Sequence, residues 1–207
     1  VEETMKKGWV AGLGCLGILV VAALIIGLSG LGIYNSLVAL QENVKQQWGQ
    51  VENVYQRRAD LVPNLVATVK GYAAHEREVL EAVTASRAQV GSLKVTPDIL
   101  NRPAEFEKFQ QAQAALSGAL SRLLLVVERY PDLKANQNFL ELQSQLEGTE
   151  NRIAVERKRF NEAAQAYNTR IRQFPAAVVA RLFGFTETAY FQSTPGSERP
   201  PVVDFNR

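Results

Sequence analysis

One cysteine, Cys15, and one histidine, His75, are all that the 207 residues offer for disulfides or zinc sites. A single chain of this kind has no disulfide framework and no His/Cys zinc centre, and its cysteine usage says nothing about the redox compartment. No metal and no cofactor is expected. An excess of one charge is missing too: 23 basic and 21 acidic residues leave a formal net charge of +2, so no global field favours nucleic acid or an anionic substrate. Also absent are a glycine loop that could cradle a phosphate, a Ser/His/Asp set, and two histidines four apart as in helical zinc proteases. No residue is assigned a catalytic role. His75 with Glu76 and Glu78 reads as solvated surface, and Glu141, Glu147 and Glu150 read as partners for arginines rather than as acid and base. The length fits one domain plus an anchor.

What is present begins with a long uncharged run. No charge occurs from Gly8 to Gln41, and Trp9–Ile33 is long enough to cross a bilayer core of about 30 Å as a helix. Trp9 and Tyr34 stand at its ends, where amphipathic rings favour the headgroup layer, with ordinary packing as the plainer alternative. Lys6 and Lys7 precede the run and Gly27-Leu28-Ser29 loosely resembles a cleavage site, but the apolar stretch is too long for a signal peptide, so an anchor is preferred. Gly12 stands where a lipobox has a larger apolar residue, so Cys15 reads as facing the bilayer rather than as lipidated. Gly8 and Gly12, and again Ala23 and Gly27, put small residues four apart, which lets membrane helices approach closely. Lys6 and Lys7 before the span, against Lys45 alone shortly after it, favour an inside amino terminus and a soluble domain on the non-cytoplasmic side. Met5 resembles a natural start, with Val1–Thr4 as an upstream extension.

Beyond the span, apolar residues recur in alternating steps of four and three, the pattern of helices packed side by side. One seam holds Val44, Val51, Arg58, Leu65, Tyr72 and Val79; its partner holds Trp48, Tyr55, Val62, Val69, Glu76 and Val83. The register does not slip at Pro63, which predicts one kinked but continuous helix from about Ser36 to about Ser92. Pro63 crowds the carbonyl of Ala59 at a cost of about 3 kcal/mol, which neighbouring helices must offset. A loop follows over Gly91–Pro103, then a second helix with Phe106, Phe109, Leu116 and Leu123, broken at Pro131. The third is the most regular: Phe139, Leu146, Ile153, Phe160, Tyr167 and Phe174 fall every seven residues. A short aromatic piece after Pro175 reads as a brief amphipathic helix, packed on the bundle end or against a partner, and the Pro-rich tail as extended.

The expected fold is therefore all-α, an N-terminal transmembrane helix followed by an elongated, coiled-coil-like antiparallel bundle of three long helices. Its divisions are residues 1–8 as flank, 9–33 as membrane helix, 34–191 as bundle and 192–207 as tail. An up-down-up course with a shorter second helix would leave Val44, Trp48, Val51 and Tyr55 without a partner from their own chain, and such an exposed seam predicts an oligomer interface. Arg58 and Glu76 occupy seam positions where a charge needs a partner or a snorkelling side chain; Glu147, Glu150, Glu156, Arg152 and Arg157 are the candidates. Asp60 is read as satisfying backbone or Arg57 beside the kink at Pro63.

The stretches YNSLVAL, RRADLVPNLVATVKGYAAHEREVLEAV and ANQNFLELQSQLEGTENRIAVERKRFNEAAQAYNTRIRQFP, in this order after a membrane span, resemble the bacterial LemA family over nearly the whole chain. The resemblance implies a membrane-anchored, all-helical protein of the bacterial cytoplasmic (inner) membrane without established enzymatic activity, in a family that includes a magnetosome-membrane protein. Two functions are carried forward. One is a self-associating helical scaffold that organises or shapes the bilayer, a homo-oligomer with no nucleic-acid partner. The other is an envelope adaptor or sensor that presents its bundle to a membrane protein such as a protease.

Overall fold

A computed structural model describes residues 2–93 and 96–192, with residues 2–16 and 26 described by their backbone alone. The side chains of Trp9 and Cys15, the surroundings of Gly12, and the tail beyond residue 192, for which expectations are stated above, lie outside the described residues. Helices account for nearly all of the described residues, and no strand occurs among them. They are α1 (Glu2–Tyr72), α2 (Arg77–Ser92), α3 (Pro103–Val127), α4 (Pro131–Lys134), α5 (Gln137–Arg172) and α6 (Ala176–Phe183), with a 3-10 turn at Pro97–Asn101. Contacts group the chain into two compact units, Val1–Val44 with Gln165–Glu187, and Lys45–Ala164 with Thr188–Arg207. These are called here the span unit and the bundle unit.

In the span unit, α1 carries a stretch with a mean hydropathy of 2.3, none of it buried. Ile18, Leu19, Leu24, Leu28 and Leu31 all point away from protein, as a helix long and apolar enough to cross a membrane requires. Ala23 and Gly27 are also exposed. Leu37 and Val44 of α1, and Tyr167 and Ile171 of α5, are buried. α5 ends at Arg172, so Phe174, expected to complete the seven-residue stripe, lies beyond the helix and is 85% exposed. The five earlier members of the stripe are buried.

In the bundle unit α1 runs through Pro63 without interruption, as its unbroken register predicts. Proline has no N–H for the carbonyl four residues earlier, so the Ala59 oxygen loses its helical donor. Arg87 of α2 supplies one, its Nε donating to Ala59 O at 3.1 Å. Asp60 plays no part in this, accepting instead from Gln56 Nε2 at 2.8 Å. Arg87→Ala is therefore expected to cost about 1 kcal/mol, and Pro63→Ala to remove that cost by restoring an internal donor. A double-mutant cycle by denaturant titration measures this coupling, and additive effects would contradict it.

The expected helix to Ser92 is corrected at Tyr72. There α1 stops, the Glu76 N–H bonds to Ala73 O at 3.1 Å, and α2 turns back. Tyr72 is 47% exposed while Ala73 takes the buried place. This short return means that α3 runs parallel to α1, not antiparallel: Trp48 meets Phe106 and Phe109, Arg58 meets Gln113 and Ser117, and Glu76 meets Arg129 and Tyr130. α5 comes back antiparallel to α1, pairing Trp48 with Phe160, Arg58 with Glu150 and Tyr72 with Asn136. The core is filled by Val62, Leu65 and Val69 from α1, Leu80 and Val83 from α2, Leu116, Leu120 and Leu123 from α3, Leu133 from α4, and Phe139 and Leu146 from α5. Apolar surface removed from water at about 25 cal/mol per Å² is the main stabilising contribution of such a core.

One consequence overturns the predicted interface. Val44, Trp48, Val51 and Tyr55 are 2%, 1%, 0% and 6% exposed within their own chain. They are core residues. The expectation of a bare seam assumed one reversal between α1 and the helix after Pro103, whereas there are two, one on either side of α2, so that α3 and α5 both pack beside Trp48 and Arg58.

Candidate functional site

Two constellations in the bundle unit carry polar chemistry where an apolar core would be simpler. The first is centred on Arg58, whose side chain is 2% exposed. Its Nη1 donates to Ser117 Oγ and to Glu150 Oε1, both at 2.7 Å. Its Nη2 donates to Gln113, to the carbonyl at 3.3 Å and also to the side-chain Oε1. Of the partners anticipated for this charge, Glu150 is the one that meets it. The guanidinium also lies 5.1 Å from the Tyr55 ring centre. Burial pushes the Tyr55 hydroxyl above its ordinary pKa, opposed by the positive charges of Arg157 and Arg58. Arg58 Nε has no partner among the described residues.

Glu76 is paired differently from expectation. Its Oε1 accepts from Arg129 Nη2 at 2.9 Å and from Tyr130 Oη at 3.0 Å, tying the turn after α1 to the end of α3. The Tyr130 hydroxyl is raised above its ordinary pKa, first by that hydrogen bond, which its ionised form could not donate. Asn136 caps α5, its Oδ1 accepting from Phe139 N at 3.0 Å.

The second constellation holds the chain's own extended segment after α6. Phe191 is buried among aromatic rings, 4.9 Å from Phe106, 5.4 Å from Phe160 and 6.1 Å from Trp48 between ring centres. Asn161 grips its backbone twice, Nδ2 donating to Phe191 O and Oδ1 accepting from Phe191 N, each at 2.9 Å. Arg157 donates to Gln192 O at 2.9 Å and covers the Phe191 ring at 4.7 Å. Gln110 Oε1 accepts from Gln192 N at 3.2 Å, and Leu100 O from Ala189 N at 3.2 Å. Side chains therefore read the backbone of this segment as they would an extended peptide's. Sequence pattern did not reveal this clamp, since Asn161 and Phe191 are far apart in sequence and the contact is to backbone.

Between the two lies a cleft of about 530 Å³ lined by Tyr55, Arg58, Glu107, Glu150, Arg157 and Gln192 among others. Two guanidinium groups, Arg58 and Arg157, and two carboxylates, Glu107 and Glu150, line it, and its Ser117 hydroxyl accepts from Arg58 with no histidine among the lining residues to activate it. Among the described residues no group of three or more His, Cys, Asp or Glu could hold a metal ion. His75 stands exposed in the turn between α1 and α2.

The sequence model of the LemA family matches residues 47–205, a range that contains Trp48, Arg58, Asn161 and Phe191. The chain belongs to the LemA family. Within curated proteins it is 30% identical over 226 residues to magnetosome protein MamQ 2 of Paramagnetospirillum magneticum, covering 98% of this chain and 81% of that one. Magnetosome protein MamQ of Magnetospirillum gryphiswaldense is 27% identical over 82% of this chain and 68% of its own length. Protein LemA of Metamycoplasma hominis is 24% identical over 79% of this chain and 70% of its own. None of these names is an enzyme's. Family membership and the apolar part of α1 together describe a membrane-associated helical protein.

Proposed function

We propose that this protein is a non-enzymatic, membrane-anchored scaffold that self-associates on the bacterial inner membrane and organises or shapes it, with its bundle on the non-cytoplasmic side. The observation that carries the reading is α1 itself: one helix, Glu2–Tyr72, holds both the exposed apolar stretch and the core residues Val62, Leu65 and Val69. A bundle that shares a helix with an apolar stretch of this kind is suited to work at a membrane. Association uses residues left exposed, because the seam of Trp48 and Tyr55 is occupied. In the bundle unit Leu125, Leu140 and Val155 are the candidates; in the span unit, Ala23 and Gly27.

The mass of the detergent-extracted full-length protein tests this by light scattering. A closed assembly is expected, one that Leu125→Glu with Val155→Glu, or Ala23→Ile with Gly27→Ile, reduces towards the mass of one chain. A monomer at every concentration would overturn the scaffold.

A second reading, an adaptor for a membrane protein partner such as a protease, is favoured by the clamp on Phe191. A site that recognises backbone and one aromatic ring suits a partner's extended segment in exchange for the chain's own. Asn161→Ala should release the segment, seen as faster protease cleavage between Phe185 and Gln192 with α1–α5 intact; unchanged cleavage would remove the clamp's support for this reading.

A further inference from the structure

α6 has a face that the chain itself leaves bare. Ala176 and Ala180 are buried, while Val178 and Leu182, on the opposite side of the helix, are 60% and 77% exposed. Phe183 at the helix end and Phe174 just before it are exposed as well. Gly184, at φ 75°, ends the helix in the left-handed conformation that glycine adopts without strain. This places four large apolar side chains together on eight helical residues and their immediate flank, with Arg181 beside them. On a water-soluble surface so dense a patch is unusual and marks a contact.

Its position within the span unit says what it contacts. The Phe183 ring lies 4.8 Å from the Tyr34 ring, and Phe185 lies 5.7 Å from the same ring. Tyr34 directly follows the apolar stretch whose Leu24, Leu28 and Leu31 are exposed and suited only to hydrocarbon. A bilayer that covers those leucines has its boundary near Tyr34, and α6 is attached at that boundary. An aromatic cluster at such a depth is where rings gain most from the headgroup layer, and a short helix with one apolar face and a cation is suited to lie in it.

We infer that α6 is an interfacial membrane helix that lays Phe174, Val178, Leu182 and Phe183 into the headgroup boundary of the bilayer crossed by α1. The lipid surface is thus a second attachment, separate from the span. The inference rests on the anchoring of α1, and the two are separable by experiment.

In full-length protein with Cys15→Ser, a polarity-sensitive fluorophore is placed at Val178→Cys or Leu182→Cys, and at Glu78→Cys on exposed α2 as reference. The proteins are reconstituted in phosphatidylcholine vesicles containing one-fifth phosphatidylglycerol. Expected for both α6 positions are a blue-shifted emission, loss of quenching by aqueous iodide, and quenching by lipids carrying a nitroxide near the headgroup more than by lipids labelled near the chain end. Iodide quenching equal to that at residue 78 would overturn the inference while vesicle co-flotation still upheld the anchor. Protection from iodide and lipid nitroxide alike would overturn it in favour of a protein partner. Failure to float with vesicles would remove both.

Discussion

Trp48→Ala is expected to destabilise the bundle unit by about 4 kcal/mol, the upper range for removing a buried aromatic side chain. The reason is its position at the centre of a ring cluster. Phe106, Phe109, Phe160 and Phe191 surround it with ring centres 5.8, 5.4, 5.6 and 6.1 Å away, so α1, α3, α5 and the extended segment all lose packing at once. Helices held apart at this level by three phenylalanines cannot collapse into the void, and residual cavity adds to the lost transfer energy. Trp48→Phe should cost much less, about 1 kcal/mol, because the buried indole Nε1 has no partner among the described residues and its removal relieves a desolvated donor. Denaturant titration in detergent measures both. A second readout separates cluster from clamp: Phe191→Ala should cost far less on a Trp48→Ala background than alone, since its ring then lacks a stacking partner. Equal costs on both backgrounds would show that Phe191 is held by Phe106, Phe160 and the clamp of Asn161 and Arg157 independently of Trp48.

This cluster also shows what the sequence discloses and what it conceals. Steps of four and three identify Val44, Trp48, Val51, Tyr55, Val62, Leu65 and Val69 as one buried face, and all seven are buried. The pattern reports the face but not the neighbour. It carries through Pro63 because a proline inside a helix costs a donor, not the phase, and Arg87 replaces the donor. The turn at Ala73–Glu76 leaves no comparable mark. Ala73, Ala74 and His75 all tolerate helix, and the break needs neither proline nor a left-handed glycine there. This unmarked turn is what sets α3 parallel to α1 and brings Phe106 and Phe109 to Trp48. Phe174 misleads for the opposite reason: a period of seven continues in sequence past the point where α5 stops. Charges at seam positions were legible as needing partners, and Glu150 was among the candidates for Arg58. The partners of Glu76 were not: Tyr130 continues the row of Phe109, Leu116 and Leu123, but with α3 expected to run antiparallel to α1, neither it nor Arg129 was placed beside Glu76.

The second large effect belongs to Arg58. Arg58→Ala is expected to cost about 4 kcal/mol, through a buried void and through the loss of the donor to Gln113 Oε1, itself 4% exposed in its residue. Glu150→Ala should cost less, about 2 kcal/mol, although it leaves a guanidinium buried against neutral acceptors. Breaking a fully buried pair commonly costs more, but the Glu150 side chain is 42% exposed, so water can reach the side of Arg58 it vacates. An apolar replacement decides whether this charge stabilises the fold or merely tolerates its own burial. Arg58→Met with Gln113→Leu removes the guanidinium and its deepest side-chain acceptor together, returning Glu150 to solvent and Ser117 to its helix surface. If desolvation offsets most of the pair's attraction, this double variant recovers most of the loss seen in Arg58→Ala. A double variant as unstable as Arg58→Ala would mean that the bonds from Arg58 to Ser117, Gln113 and Glu150 are themselves the joint between α1, α3 and α5. Chemical denaturation of the three proteins in one detergent distinguishes these outcomes, because they differ by more than the error of extrapolation.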